Sequence, residues 1–315
     1  MPLTRLRRVP LALALLAAVL ASACVPGTGA PDPAMPVAEP FSGGYPTYRD
    51  PASGITTILG TPDLGVGTFR VAFALSDRSG LVRAPGVEVQ SYRVPRVGSE
   101  DGPVQTTTAT FAAFPDGSRG LYSTALTFDR AGTWGIRVRV PRADGSLATV
   151  ALRFPIAAHA SAPSVGDAAP ATKNRTARDV SSLKELSSGT TPTPALYEQT
   201  VAGAITARRP FVVVFASPAF CTTPLCGPQV EDLGAIAPAY AGRADFIHID
   251  TYQHPELIRG DLEHAERSPF LKQWGLKTDE WTFVVGADGK IAARFEAYVP
   301  RAELEAALQR VIASR

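Results

Sequence analysis

Between residues 68 and 154, apolar side chains return at about every second position in a series of short runs. Thr68-Phe69-Arg70-Val71-Ala72-Phe73-Ala74-Leu75 and Val87-Glu88-Val89-Gln90-Ser91-Tyr92-Arg93-Val94 are the first two. Thr107 to Phe114, Gly120 to Phe128, Trp134 to Val140 and Leu147 to Phe154 follow. A period of two is that of a pleated strand with one face on a core and the other in water. Asp77-Arg78-Ser79-Gly80, Pro115-Asp116-Gly117, Arg130-Ala131-Gly132 and Ala143-Asp144-Gly145 punctuate the runs with turn chemistry. Short strands at this spacing predict a β-sandwich over residues 41–157.

The pattern changes after Leu196. Phe211-Val212-Val213-Val214-Phe215 is a continuous apolar run of β-branched and aromatic residues, which predicts a buried strand. Asp245 to Asp250 and Trp281 to Val285 predict two more strands, and Ala287-Asp288-Gly289-Lys290 a hairpin turn into Ile291 to Phe295. Helical spacing appears in Leu196 to Thr206, in Pro228 to Tyr240 and in Ser268 to Trp274, where Ser268 and Pro269 resemble a cap and first turn. A last helix from Pro300 would bury Leu304, Leu308 and Val311. The expected fold class is therefore multidomain, with an all-β sandwich followed by an α/β region over residues 196–315. Residues 158–195, rich in Ala, Ser, Thr and Pro, are expected to be a linker and lead-in segment.

The N-terminus changes the compartment. Arg5, Arg7 and Arg8 precede the apolar run Leu11 to Leu20, and Ala21-Ser22-Ala23 leads to Cys24. This is the three-part form of an export signal, too short for a membrane span. A Pro/Gly-rich tether follows, placing a flexible segment at residues 24–40. Loss of residues 1–23 removes three arginines and no acid, which lowers the formal charge from +2 to −1. No basic stripe appears, so nucleic acid is not an expected partner. Export also puts the chain where disulfides persist.

Two of the three cysteines lie in Phe220-Cys221-Thr222-Thr223-Pro224-Leu225-Cys226-Gly227-Pro228, directly after the first buried strand and before a helix. A helix N-terminus stabilises a thiolate through its dipole and free N–H groups. The position points to thiol–disulfide chemistry, with Cys221 and Cys226 as the reacting pair.

Three resemblances extend this reading. Ala21-Ser22-Ala23-Cys24 resembles the lipobox of bacterial lipoproteins, with Ala21 in place of the usual leucine. The resemblance implies cleavage before Cys24, lipidation of Cys24, and anchoring on the extracytoplasmic side of a membrane. The stretch from Gly120 through Trp134 to Val140 looks like the immunoglobulin-like modules of exported bacterial proteins, with Trp134 in the core. The order of elements from Leu196 to Ile312, with Cys226-Gly227-Pro228 and Trp281-Thr282-Phe283-Val284-Val285 as anchors, looks like the thioredoxin fold. Val165-Gly166-Asp167-Ala168-Ala169-Pro170 is similar to the lead-in of such exported domains and is expected to pack on this one.

In that family a low-pKa thiolate attacks a disulfide and a second cysteine resolves the mixed disulfide. Four residues separate the cysteines here. Two assignments stay open: Cys221 as the attacker, or Cys226, whose Gly227-Pro228 matches the family motif. Phe220, Thr223, Gly227, Pro228, Trp281 and Thr282 are the supporting residues this implies, with a Cys221–Cys226 disulfide in the oxidised form. Phe220 stands where the family has tryptophan. Glu280-Trp281 stands where it has a cis-proline, and the strand before the pair carries no acid.

The competing readings are a structural disulfide in a non-enzymatic binding protein, a peroxidase and a copper chaperone. Thr223-Pro224-Leu225-Cys226 resembles the Thr-x-x-Cys of peroxiredoxins. Copper delivery would use the cysteines with His248, His254 or His264. No cofactor and no resident metal are expected. The expected partners are protein thiols and disulfides of the cell envelope, met by a monomer.

Overall fold

The computed structural model describes residues 35–36, 39–40, 45–142, 144–220 and 228–313. Ala34–Arg315 forms one compact unit. Strands β1 (Glu39–Pro40), β2 (Pro46–Arg49), β3 (Thr56–Leu59), β4 (Gly67–Asp77), β5 (Gly80–Leu81), β6 (Gly86–Arg96), β7 (Ser99–Ala113), β8 (Gly120–Phe128), β9 (Gly132–Pro141) and β10 (Leu147–Ile156) come first. They pair into one antiparallel sheet in the order β1-β2-β3-β4-β8-β7-β6-β9-β10, with β5 on β4.

This single sheet overturns the expected immunoglobulin-like sandwich of two separate leaves. The reason lies in β7. Its first part pairs with β6 from Ser99 to Thr110, and its last four residues pair with β8. One strand thus carries the sheet round a corner and joins the two would-be leaves. The alternating apolar residues of β4, β6, β8, β9 and β10 then meet in one core, with Phe73, Val89, Phe128, Trp134 and Leu152 buried together. Val66 N–H and Ala157 N–H donate to the carbonyls of Ala157 and Leu64 (3.1 Å each), which draws the end of β10 towards the approach to β4. The sheet is nearly closed on itself.

The second half holds α1 (Val201–Thr206), β11 (Phe211–Phe215), α2 (Gln229–Ile236), β12 (Asp245–Ile249), α3 (Pro269–Gln273), β13 (Trp281–Val285), β14 (Ile291–Glu296) and α4 (Arg301–Ala313). The strand order is β12-β11-β13-β14; β11 and β12 are parallel and the other pairs antiparallel. The α/β thioredoxin-like class expected here is overturned as well. The described chain is mostly strand and only 19% helix. The helical segments are shorter than the spacing implied. Residues 228–240 give eight α-helical residues and then a 3₁₀ turn, because Pro238 has no N–H to continue the ladder. Residues 268–274 give five, ending at Gly275 in the left-handed region (φ +66°).

The two sheets share buried contacts. Tyr45, Phe114 and Leu121 pack with Ala297 and Tyr298. The Tyr45 hydroxyl donates to the Asp279 carbonyl. Arg294 on β14 donates to Asp63 Oδ2 (2.9 Å), and its guanidinium lies over the rings of Phe69 and Trp281. Glu296 Oε2 accepts the Asp63 N–H (3.0 Å) and Oε1 accepts the Thr278 hydroxyl (2.5 Å). The lead-in segment also packs, as expected. Gly166 N–H donates to the Ile291 carbonyl, Ile291 N–H to Asp167, and Ala169 N–H to Gly289.

Candidate functional site

All five residues of β11 are buried, with neighbours in register on both sides: Phe215 faces Ile249 of β12 and Trp281 of β13. A strand covered on both faces needs an unbroken apolar run, and Phe211–Phe215 supplies it. The chain leaves β11 through Ala216-Ser217-Pro218-Ala219-Phe220 and returns at Pro228, which caps α2 without a side-chain hydrogen bond. Cys221, Thr223, Cys226 and Gly227 lie between these points and outside the described residues, as does Cys24.

The run-in to the cysteines is fastened from behind. His248 Nε2 lies 2.9 Å from the Ala216 carbonyl, and Nδ1 lies 2.8 Å from the Tyr197 hydroxyl. A carbonyl only accepts, so Nε2 carries the proton and Nδ1 accepts from tyrosine. Burial holds the imidazole below its ordinary pKa, against the opposing pull of Asp250, and so keeps it neutral. Asp250 is buried as well. Its Oδ2 accepts from the N–H and hydroxyl of Ser188 (2.8 Å each). Its Oδ1 accepts from the Ser217 hydroxyl (2.7 Å) and the Tyr252 N–H (3.1 Å). Four donors compensate the burial of this acidic side chain. The Ser188 oxygen also accepts the Ala219 N–H (3.2 Å). Phe220 sets its ring edge-on to Tyr252, 5.7 Å between centroids.

Of the supporting residues inferred from sequence, Phe220 and Pro228 flank the cysteine stretch. Trp281 and Thr282 are fully buried core residues instead. The Trp281 indole N–H donates to Thr278 Oγ1 (3.0 Å), and the ring stacks on Phe283. Thr282 Oγ1 has no hydrogen-bond partner among the described residues. Trp274 is likewise core, packed on Phe215 with its N–H on Thr172 (2.7 Å). Just before β13, Glu280 takes a left-handed conformation (φ +69°), and its carbonyl accepts from Ala297, also left-handed (φ +60°). Conformations that L-residues avoid cluster at sites where surrounding structure imposes them.

The histidines considered for copper each have another partner, although His248 and His254 line one cavity. Both nitrogens of His248 are engaged, His254 pairs with Glu256 (3.5 Å) and exposed His264 with Asp261 (2.8 Å). Among the described residues no group of three or more His, Cys, Asp or Glu is arranged to hold a metal. Sequence reasoning missed Tyr197, Ser188, Ser217 and Tyr252. The one available signal was Asp250, an acid directly after the apolar strand Phe246-Ile247-His248-Ile249.

Pro218 and Pro228, which flank the cysteine stretch in sequence, line a cleft of about 360 Å³ together with Ser217, Val230, Glu231 and Glu280, and Pro115, Asp116 and Arg119 of the β7–β8 turn line it as well.

No family model matches this chain, and no curated protein does. Among solved structures it is similar to a thiol:disulfide interchange protein of the thioredoxin family from Chlorobium tepidum TLS. The identity is 15% over 39% of this chain and 96% of the other, with a TM-score of 0.28.

Proposed function

We propose that this chain is an exported, lipid-anchored thiol–disulfide oxidoreductase that works through Cys221 and Cys226. The observation that carries the reading is the position of the pair in sequence. Both cysteines fall in the thirteen residues, 216–228, that join a fully buried strand to the first turn of α2. Backbone N–H groups at the start of a helix have no intrahelical acceptor and favour an anion such as a thiolate. The hydrogen bonds on Ala216, Ser217 and Ala219 support it further, since a reacting group gains from a rigid run-in.

In the reducing direction, the attacking thiolate bonds to one sulfur of a substrate disulfide and expels the other as a thiolate. The second cysteine, as thiolate, then attacks the mixed disulfide. The substrate leaves as a dithiol after protonation, the pair is left as a disulfide, and two electrons have passed to the substrate. The oxidising direction is the same sequence reversed.

Export and anchoring rest on residues 1–24, with the acyl chains at Cys24 holding the chain to the membrane. Among the described residues no helix is long and apolar enough to cross one.

The test is a redox titration of the full chain with mass-tagged thiols. Cys221 and Cys226 are expected to open and close together, reversibly, at a potential above about −300 mV. A pair that stays closed below that value is a structural staple, and the oxidoreductase reading then fails.

A further inference from the structure

We propose that the β7–β8 turn is the recognition wall of the cleft lined by Pro218 and Pro228, and that the cleft takes an extended segment of a partner protein carrying lysine or arginine next to its cysteine. The inference rests on the exchange reading above and gives the β-rich half a part in it.

The turn is preformed. Phe114 N–H donates to the Arg119 carbonyl (2.9 Å), closing the loop across residues 115–118, and Gly117 supplies the left-handed position (φ +67°). Asp116 accepts the N–H and hydroxyl of Ser118 (3.1 and 2.5 Å), and Arg83 donates to the Gly117 carbonyl (2.5 Å). The turn is also locked to the far wall. Phe114 packs on Tyr298, with centroids 4.5 Å apart. The Tyr298 hydroxyl donates to Asp232 on α2 (2.7 Å), and Arg301 donates to the other oxygen of that carboxylate (2.7 Å). Both walls therefore hold their spacing before anything binds, which lowers the ordering cost of association.

The chemistry of the walls selects the occupant. Pro115, Pro218 and Pro228 have no N–H and so offer an occupant no backbone donor, while the Pro228 carbonyl already accepts the Asp232 N–H (2.9 Å). Asp116 and Glu231, both on exposed residues, add carboxyl groups, and the buried Glu280 lines the cleft as a third acidic residue. The bonds from Ser118 hold the Asp116 carboxyl below its usual range, so it is charged at neutral pH. Arg119 is the one cation among the described lining residues and stacks over Phe114 at 5.5 Å. A lining of this kind is matched by donors: the N–H groups of an extended backbone and a cationic side chain.

The experiment measures binding of dye-labelled octapeptides to the full chain by fluorescence anisotropy at low ionic strength. One probe has lysine on either side of a central serine, the other has glutamate there. The protein is expected to bind the lysine peptide at least about fivefold tighter, as two exposed ion pairs allow. Asp116→Lys with Glu231→Lys is expected to reverse the order, and Asp116→Asn or Glu231→Gln alone to shrink it. A preference under twofold in the wild type, or one unchanged in these variants, overturns the proposal. Selective binding in a chain whose cysteines do not cycle would sink the exchange reading alone. Cycling cysteines without selectivity would sink this inference alone.

Discussion

Glu296 is a carboxyl group shut away from water, with the Thr278 hydroxyl and the Asp63 N–H as its polar partners. Burial, the largest cause, pushes its pKa up to about 8, in spite of those hydrogen bonds and the nearby Arg294. The folded state therefore keeps a proton that the unfolded chain releases near pH 4.5. Between about pH 4.5 and pH 8 the contribution of Glu296 to stability falls as pH rises, because at this group the folded form binds more protons in that window. Glutamine resembles the protonated form, so Glu296→Gln is expected to leave stability at about pH 5 little changed. At about pH 8 it is expected to raise stability by at least about 1 kcal/mol, the scale of a tenfold change in proton affinity. Thermal melts of both proteins at the two pH values check this. Asp250 shows the opposite solution, a buried carboxylate given four donors. Neither environment was legible in the sequence. The backbone group that donates to Glu296 is 233 positions away in the chain, and Ser188 lies in a stretch whose composition reads as linker.

Among the elements, strands with strong alternation were legible almost to the residue: Gly120–Phe128 and Trp281–Val285 are where the pattern puts them. β2 and β3 escaped notice because Pro46-Thr47-Tyr48-Arg49 and Thr56-Thr57-Ile58-Leu59 are too short to show a period. The corner taken by β7 escaped for a different reason. Alternation records which face a residue points to and carries nothing about which neighbour a long strand pairs with along its length. The shared core of Tyr45, Phe114 and Tyr298 fastens the two sheets into one unit. Unfolding in urea is therefore expected to follow a single transition. Trp134 sits in the first sheet's core and Trp274 and Trp281 in the second's, so near-ultraviolet signals and backbone circular dichroism should change together. Two separated transitions would show that the sheets melt independently.

At the scale of the whole molecule, the sequence assigns the candidate cysteines to one connection, between Phe220 and Pro228 and outside the described residues. It carries no sign that Trp281 and Thr282 are completely buried. The proposed anchor is testable at this scale. Cys24→Ser is expected to move the full-length chain from the membrane fraction to the soluble extract of its host, with no incorporation of labelled palmitate. Retention in the membrane with label still attached would end the lipoprotein reading.

β14 is the outer strand of its sheet. An uncovered outer strand is a template on which another molecule can extend the sheet. Here Gly166 and Asp167 bond to both backbone groups of Ile291, and Ala169 bonds to Gly289 just before it. The segment that composition marks as a spacer thus occupies the start of that template. It protects the chain from self-association at this border, a safeguard that the proposed crowding on a membrane surface would make more valuable.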